Sequence, residues 1–345
     1  MPVTRANGVD IAWEETGPSD GPVILLVMGL AMPLALWPDD FVQGLAREGF
    51  RVITFDNRDA GRSERMVGEP PGHAFWAVGR AMLGLKVRGV YTVEDMADDA
   101  AGLLEALGIA KAHVAGMSMG GMIAQAVASR HPQRVLSLTS IMSTSGNPRA
   151  SIGHPRALQA ILKLPPDPRD HEAVARHLAF VLGVIGSRTH PTPEAERLAL
   201  GRRVAERGTD PQGANRQLFA ILASGDRRHD LARVTAPTLV LHGAEDPLLP
   251  PGGGRDTAAS IPGAVFEEIA GMGHDLPGPV IPRLVSRIAA HCRAAQPAPP
   301  SAVVPADSPP SFAEAPAAGP PSAPQPPAAP ETPPEGSLRS DNPGG

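Results

Sequence analysis

The sequence predicts an α/β fold: a mostly parallel sheet with helices on both faces and a helical cap inserted late in the sheet. Three observations carry that expectation. Short apolar runs suited to buried strands alternate with amphipathic stretches from Val23 to Arg293. Gly116-Met117-Ser118-Met119-Gly120 sits between a strand-like and a helix-like segment. Between Ile141 and Ala236 the strand pattern stops and only helix-like segments remain.

The elements follow in order. Asn7-Gly8 is a hairpin signal between Val3–Ala6 and Val9–Glu14. Val23–Val27 is a continuous apolar run, as a strand buried on both faces requires. A helix over Phe41–Glu48 and a strand over Arg51–Phe55 come next. Thr92-Val93-Glu94-Asp95 resembles a capping box and opens a helix through Leu107, closed by Gly108. Lys111–Ala115 and Gly121–Ala128 are the strand and helix that flank Ser118, and Val135–Ile141 is a further strand. His154–Leu164, Glu172–Ile185, Glu194–Arg207 and Gly213–Ala223 read as helices of the cap. Ala236–Leu241 and Val265–Ile269 return to the sheet, and Val280–Arg293 is the last helix. Gly252-Gly253-Gly254 reads as a flexible link before a helix over Asp256–Ile261.

The expected organisation is a core from residues 1–141 and 236–293, a cap from 142–235, and a tail from 294–345. The tail is rich in Ala, Pro, Ser and Gly and holds more than a third of the 40 prolines. Such a segment buries too little apolar surface to offset its ordering entropy, so disorder is expected.

Composition removes several classes of function. The formal charge is -5 and no basic block occurs, which argues against nucleic acid as a partner. The single cysteine, Cys292, rules out an intrachain disulfide and falls on the apolar side of the last helix. The longest apolar stretch, Val23 to Trp37, is interrupted by Gly29 and Pro33 and is too short to span a bilayer. A cytoplasmic protein with no membrane partner is expected. His171 and His177 are six apart and share no helix face, so no metal set is expected, and the glycine run lacks a phosphate-loop ending.

The chemistry points to Ser118. Gly-x-Ser-x-Gly between a strand and a helix holds a serine in strained geometry at a sharp turn, where small neighbours are needed. A serine hydroxyl needs a base, and the base needs an orienting acid. In this setting the chain order is serine, acid, histidine. His242-Gly243-Ala244-Glu245-Asp246-Pro247 runs off a strand, making Asp246 the candidate acid, with Glu245 an alternative carboxylate. Ser143-Thr144-Ser145-Gly146, after the preceding strand, offers no carboxylate. Of 11 histidines, only His274, in Gly271-Met272-Gly273-His274-Asp275, combines the order with a glycine-rich loop after a strand. Backbone N–H groups of Met119 and Leu30 are the candidate oxyanion donors. Asp56-Asn57-Arg58-Asp59 reads as a polar turn that fixes loop geometry, with Arg58 as the expected partner of Asp56.

With these residues in place, the chain resembles the α/β-hydrolase superfamily over roughly residues 1–293. Within it the chain is most similar to the aclacinomycin methylesterase-like branch. The shared segments are Val27-Met28-Gly29, Gly49 through Asp59, Gly116 through Gly120, Ala236 through Val240 and Gly271 through His274. The resemblance implies a serine carboxylic-ester hydrolase that needs no cofactor and acts on a small-molecule ester. It implies Ser118 as nucleophile, Asp246 as acid and His274 as base. It implies no particular substrate, because the cap carries no shared segment. The same three residue types also serve enol-lactone hydrolases, carbon–carbon bond hydrolases and cofactor-free perhydrolases. A catalytically silent binding module is the expectation from outside the class.

Overall fold

A computed structural model describes residues 2–150 and 152–296. Eight strands form one sheet: β1 (Val3–Ala6), β2 (Val9–Thr16), β3 (Val23–Val27), β4 (Arg51–Phe55), β5 (Ala112–Met117), β6 (Val135–Ile141), β7 (Thr238–Gly243) and β8 (Val265–Ile269). Their order across the sheet is β1-β2-β4-β3-β5-β6-β7-β8. β1 and β2 form the expected hairpin, with positive φ at both Asn7 and Gly8. That pair of left-handed residues matches the right-handed twist of the strands it joins. β2 runs antiparallel to β4, and every later pair is parallel.

The continuous apolar run of β3 has a plain cause: helices cover both faces. Leu25 and Val27 pack with Met96 and Leu103 of α3 (Val93–Ala106) and with Ile123 and Val127 of α4 (Met119–Arg130). Ile24 and Leu26 turn to the other face, against Phe41 and Leu45 of α1 (Asp39–Arg47) and Leu284 and Ile288 of α11 (Ile281–Ala294). Cys292 lies in this second cluster, and burial pushes its thiol up to about 12. It is therefore a packed apolar group at neutral pH. Thr92 and Asp95 close the expected capping box at the start of α3.

Register brings the functional loops to one edge. Val27 stands level with Gly116, Gly116 with Ser140, Ser140 with Val240, and Val240 with Phe266. The loops leaving β3, β5, β6, β7 and β8 therefore emerge side by side at the carboxyl ends of the strands. Ligands bind at that edge in open parallel sheets.

Among the described residues between β6 and β7 the regular elements are all helices: α5 (Pro155–Leu162), α6 (His171–Ile185), α7 (Glu194–Arg207), α8 (Pro211–Ser224) and the short α9 (Arg228–Leu231). Two other helices differ from expectation. α2 (Ala74–Met82) was not anticipated, because glycines at 68, 72, 84 and 89 break the pattern around it. The glycine run 252–254 is not a link but lies inside α10 (Pro251–Ser260), which starts at a proline suited to a first helical turn. Gly254 is needed for close approach: a Cβ there would stand 2.5 Å from Nδ1 of His242 on β7. The expected tail, 294–345, overlaps the end of α11 at Ala294, and its residues 297–345 lie outside the described residues. Among the described residues no helix is long and apolar enough to cross a membrane.

Candidate active site

Ser118 occupies the turn between β5 and α4 with φ 57 and ψ -122, a strained conformation for a residue with a side chain. The structure fixes it from several sides. Its N–H donates to the Ile141 carbonyl at 2.9 Å, and Ser143 Oγ donates to the Ser118 carbonyl at 2.7 Å. The flanking glycines are sterically required. A Cβ at Gly116 would lie 2.0 Å from the Gly120 carbonyl oxygen, and one at Gly120 would lie 2.0 Å from that of Val27. The helix thus comes close enough to the sheet to present the serine at the edge.

His274, in the loop after β8, reaches Ser118 Oγ with Nε2 at 3.0 Å. Its Nδ1 is 2.7 Å from Asp246 Oδ2. Asp246 comes from the loop after β7 and is buried. Its other oxygen, Oδ1, accepts the backbone N–H groups of Leu248 and Leu249 at 2.9 and 2.8 Å, which leaves Oδ2 facing the imidazole. Burial pushes the Asp246 carboxyl up, but the charge of His274 and hydrogen bonds from His242 and His274 outweigh it and hold the group at about 2. The carboxylate is therefore ionised throughout the neutral range. Glu245, the alternative acid, points elsewhere: it accepts the N–H groups of Arg188 and Thr189 and is bonded to the Thr189 hydroxyl.

The loop after β3 comes up against the serine. A Cβ at Gly29 would stand 3.4 Å from Ser118 Cβ. Leu30 follows, and Met119 is the first residue of α4, where the backbone N–H has no partner within its own helix. Both line the cavity that opens above Ser118. The loop's geometry is held from below and above. Asn57 Nδ2 donates to the Met28 carbonyl at 2.9 Å, and the Leu34 N–H donates to Asp56 Oδ1 at 2.7 Å. Ala31 has a left-handed backbone, φ 59, and its N–H donates to Gln217 Oε1 at 2.6 Å. Gln217 is fully buried on α8, and its Nε2 donates to the Arg58 carbonyl at 2.7 Å.

The polar turn 56–59 has partners that spacing alone did not identify. Arg58 does not pair with Asp56. It forms a two-pronged pair with Asp99 on α3, at 2.5 and 2.6 Å. Asp56 instead receives Arg207 from α7, and Asp59 receives Arg216 from α8 at 2.7 and 2.9 Å. The turn therefore fastens two helices of the insertion to the sheet. The histidine loop is fastened in the same way: the His274 N–H donates to the Ile185 carbonyl at 2.9 Å, and Asp275 accepts the Ser187 N–H at 2.9 Å.

Gln217, Ser187, Asp275 and His242 were not anticipated from the sequence. Only His242 left a trace, lying four residues before Asp246. Its Nε2 sits 3.5 Å from Asp246 Oδ2 and 2.7 Å from the Leu249 carbonyl. Among the described residues no group of three or more His, Cys, Asp or Glu is placed to hold a metal ion.

The cavity above Ser118 has a volume of about 840 Å³. Met119 and Met122 of α4 form part of its floor, and Leu178 and Val181 of α6 and Leu218 and Ile221 of α8 form part of its walls. A half-buried serine beside a buried histidine and a buried aspartate at the strand edge of a mostly parallel sheet define a serine hydrolase-type site.

The chain belongs to the alpha/beta hydrolase fold family, whose model matches residues 22–277. Among known proteins it is similar to the rhodomycin D methylesterase of Streptomyces sp. (strain C5), with 32% identity over 82% of this chain and 95% of that protein. The rhodomycin D methylesterase of Streptomyces peucetius is 30% identical over 86% of this chain and 99% of its own. Among solved structures, the enol-lactonase from Burkholderia xenovorans LB400 superposes with a TM-score of 0.65 at 26% identity, covering 85% of this chain and 100% of that one.

Proposed function

We propose that this chain is a serine hydrolase that cleaves carboxylic esters through an acyl-enzyme on Ser118. The observation that carries the reading is His274 bridging Ser118 Oγ and Asp246 Oδ2 at 3.0 and 2.7 Å. His274 takes the Ser118 proton as Oγ attacks the ester carbonyl. The N–H groups of Met119 and Leu30 receive the developing oxyanion. His274 then gives its proton to the departing alcohol and later activates the water that releases the acid. Asp246 holds the imidazole with its proton on Nδ1 and stabilises the charged form.

The domain reading follows. Residues 1–141 and 236–293 supply the catalytic groups, and 142–235 act as a cap that shapes the substrate cavity. Side chains of α5, α6 and α8 in its walls support this. The cavity lies toward the upper end of the range for small-molecule sites and is mainly apolar. The substrate is thus a small-molecule ester with a sizeable apolar acid part and a small alcohol, and the methylesterase relatives make a methyl ester the first choice. No cofactor is needed, and the protein acts in the cytoplasm.

A panel of methyl esters of apolar acids, p-nitrophenyl esters of rising chain length, and lactones tests this. Turnover is expected on the esters, greatest where the acid part is large and apolar, and it disappears in Ser118→Ala. Lactones as the sole substrates would favour the enol-lactonase likeness instead. Ester turnover that survives Ser118→Ala would overturn the reading.

A further inference from the structure

Eleven of the fourteen exposed large apolar side chains among the described residues fall in two short segments, 67–90 and 152–164. The two segments are far apart in sequence but meet at the mouth of the cavity. Met82, Leu85, Ile152, Leu158 and Leu162 are both exposed and part of the cavity lining, so they form its rim. From that rim the apolar surface continues over the outer side of α2. There Phe75 and Trp76 are 78% and 69% exposed and contact each other edge to face, and Leu83 completes the patch.

The same segments carry an unusual charge. The chain as a whole is -5, yet the first segment holds Arg80, Lys86 and Arg88 against a single carboxylate, Glu69 at its start, and residues 70–90 have no carboxylate. Residues 149–164 contain Arg149, Arg156 and Lys163 and again no carboxylate. All six are exposed, and none forms an ion pair among the described residues. Arginines on other faces are paired: Arg130 with Asp98, Arg203 with Asp39, and Arg283 with Glu267. Neither segment is a basic run, so the sequence shows no basic block; the fold assembles the positive ring around the apolar one.

We propose that this rim is a docking face for an anionic lipid surface, through which an apolar ester enters the cavity. The proposal rests on reading the cavity as the substrate site. Exposed Phe and Trp beside Arg and Lys are the combination that settles a helix at a lipid interface, with rings among the acyl chains and cations at the headgroups. A helix of nine residues lying on the surface spans nothing. The earlier expectation of no membrane partner came from the lack of a long apolar run, and a face built from two segments has no such run. Docking there would let an apolar substrate pass from lipid to Ser118 without crossing water.

Co-sedimentation of the full chain with vesicles tests this. Binding is expected to phosphatidylglycerol–phosphatidylcholine vesicles at low salt, with release in 1 M salt and little retention on phosphatidylcholine alone. Each cation at such a surface contributes about fivefold in affinity, so Arg80→Glu with Arg88→Glu lowers the bound fraction more than tenfold. Phe75→Ser with Trp76→Ser does the same while turnover of soluble p-nitrophenyl acetate stays at the level of the parent chain. Absence of binding to the anionic vesicles, or equal binding by both double variants, overturns the proposal. A concentration-dependent dimer that Phe75→Ser with Trp76→Ser disperses would assign the face to a second copy and also overturn it. Vesicle binding needs no catalysis, so its failure is distinct from failure of the hydrolase reading, which the p-nitrophenyl acetate rate reports.

Discussion

Around Ser118 each group of the proposed triad is held by fixed polar partners, whereas the cavity walls above it are held by apolar packing. Asp246 is fixed by two backbone N–H groups and His274 by the Ile185 carbonyl, and Ser118 is locked into a strained turn. The walls come from Leu, Ile and Val side chains of α5, α6 and α8, which tolerate exchange of similar volume. On the proposed function, the rigid part sets the reaction and the adaptable part sets the substrate. What joins them is a small set of buried polar contacts: Arg207 to Asp56, Arg216 to Asp59, and Gln217 to Ala31.

The contrast can be broken most severely at the rigid end. Asp246→Asn keeps the acceptor for Leu248 and Leu249 but disturbs the Nδ1 bond of His274, and kcat on the preferred ester is expected to fall by about 10⁴. Steady-state kinetics on the ester panel check this, with circular dichroism unchanged. Arg216→Met attacks the joint. It leaves Asp59 buried with the Tyr91 hydroxyl and the Met66 N–H but without its cation, and stability is expected to fall by about 3–5 kcal/mol in urea titration.

A third test concerns the sheet away from the cap. His113 on β5 is buried, and burial together with the nearby His291 lowers its imidazole to about 4. An unfolded imidazole takes its proton near pH 6.5. Between those values the unfolded chain binds more protons, so stability is lost as pH falls from about 6.5 to 4, by on the order of 3 kcal/mol. The slope of stability against pH in that window is expected to be shallower in His113→Asn. The smallest effect falls on the link from α8 to the loop after β3, the proposed oxyanion loop. Gln217→Leu leaves the Ala31 N–H without its acceptor, loosening the loop that presents Leu30. A loss of about 10- to 10²-fold in kcat with little change in KM is expected. An equal rise in KM with kcat intact would instead place Gln217 in substrate binding.

What the sequence revealed divides along the same line. The elbow was legible because Gly116, Ser118 and Gly120 must be adjacent in the chain for backbone to pass so close to backbone. The order of Ser118, Asp246 and His274 was legible because each follows a segment that reads as a strand, although β8 is Val-Phe-Glu-Glu-Ile and not a continuous apolar run. The strands themselves, such as Val23–Val27 and Arg51–Phe55, were readable from burial on both faces. Pairings between distant elements were not. Nothing local tells Arg58 to choose Asp99 over its neighbour Asp56, because Asp99 comes near it only once α3 packs on the sheet. Gln217 sits among cap residues whose helical period says nothing of a loop 186 residues earlier. The glycines of α10 misled for a physical reason: glycine is a poor helix former, and the close contacts of Gly254 with His242 and of Gly252 with the Ala150 carbonyl become visible only in the fold.

The central claim is that Ser118 is the nucleophile and His274 its base. Mass analysis after treatment with an organophosphonate tests it most directly. One phosphonyl adduct is expected on the peptide carrying Ser118, formed slowly in His274→Ala and absent in Ser118→Ala. An adduct on another residue, or equal labelling of the Ser118→Ala chain, would contradict the account.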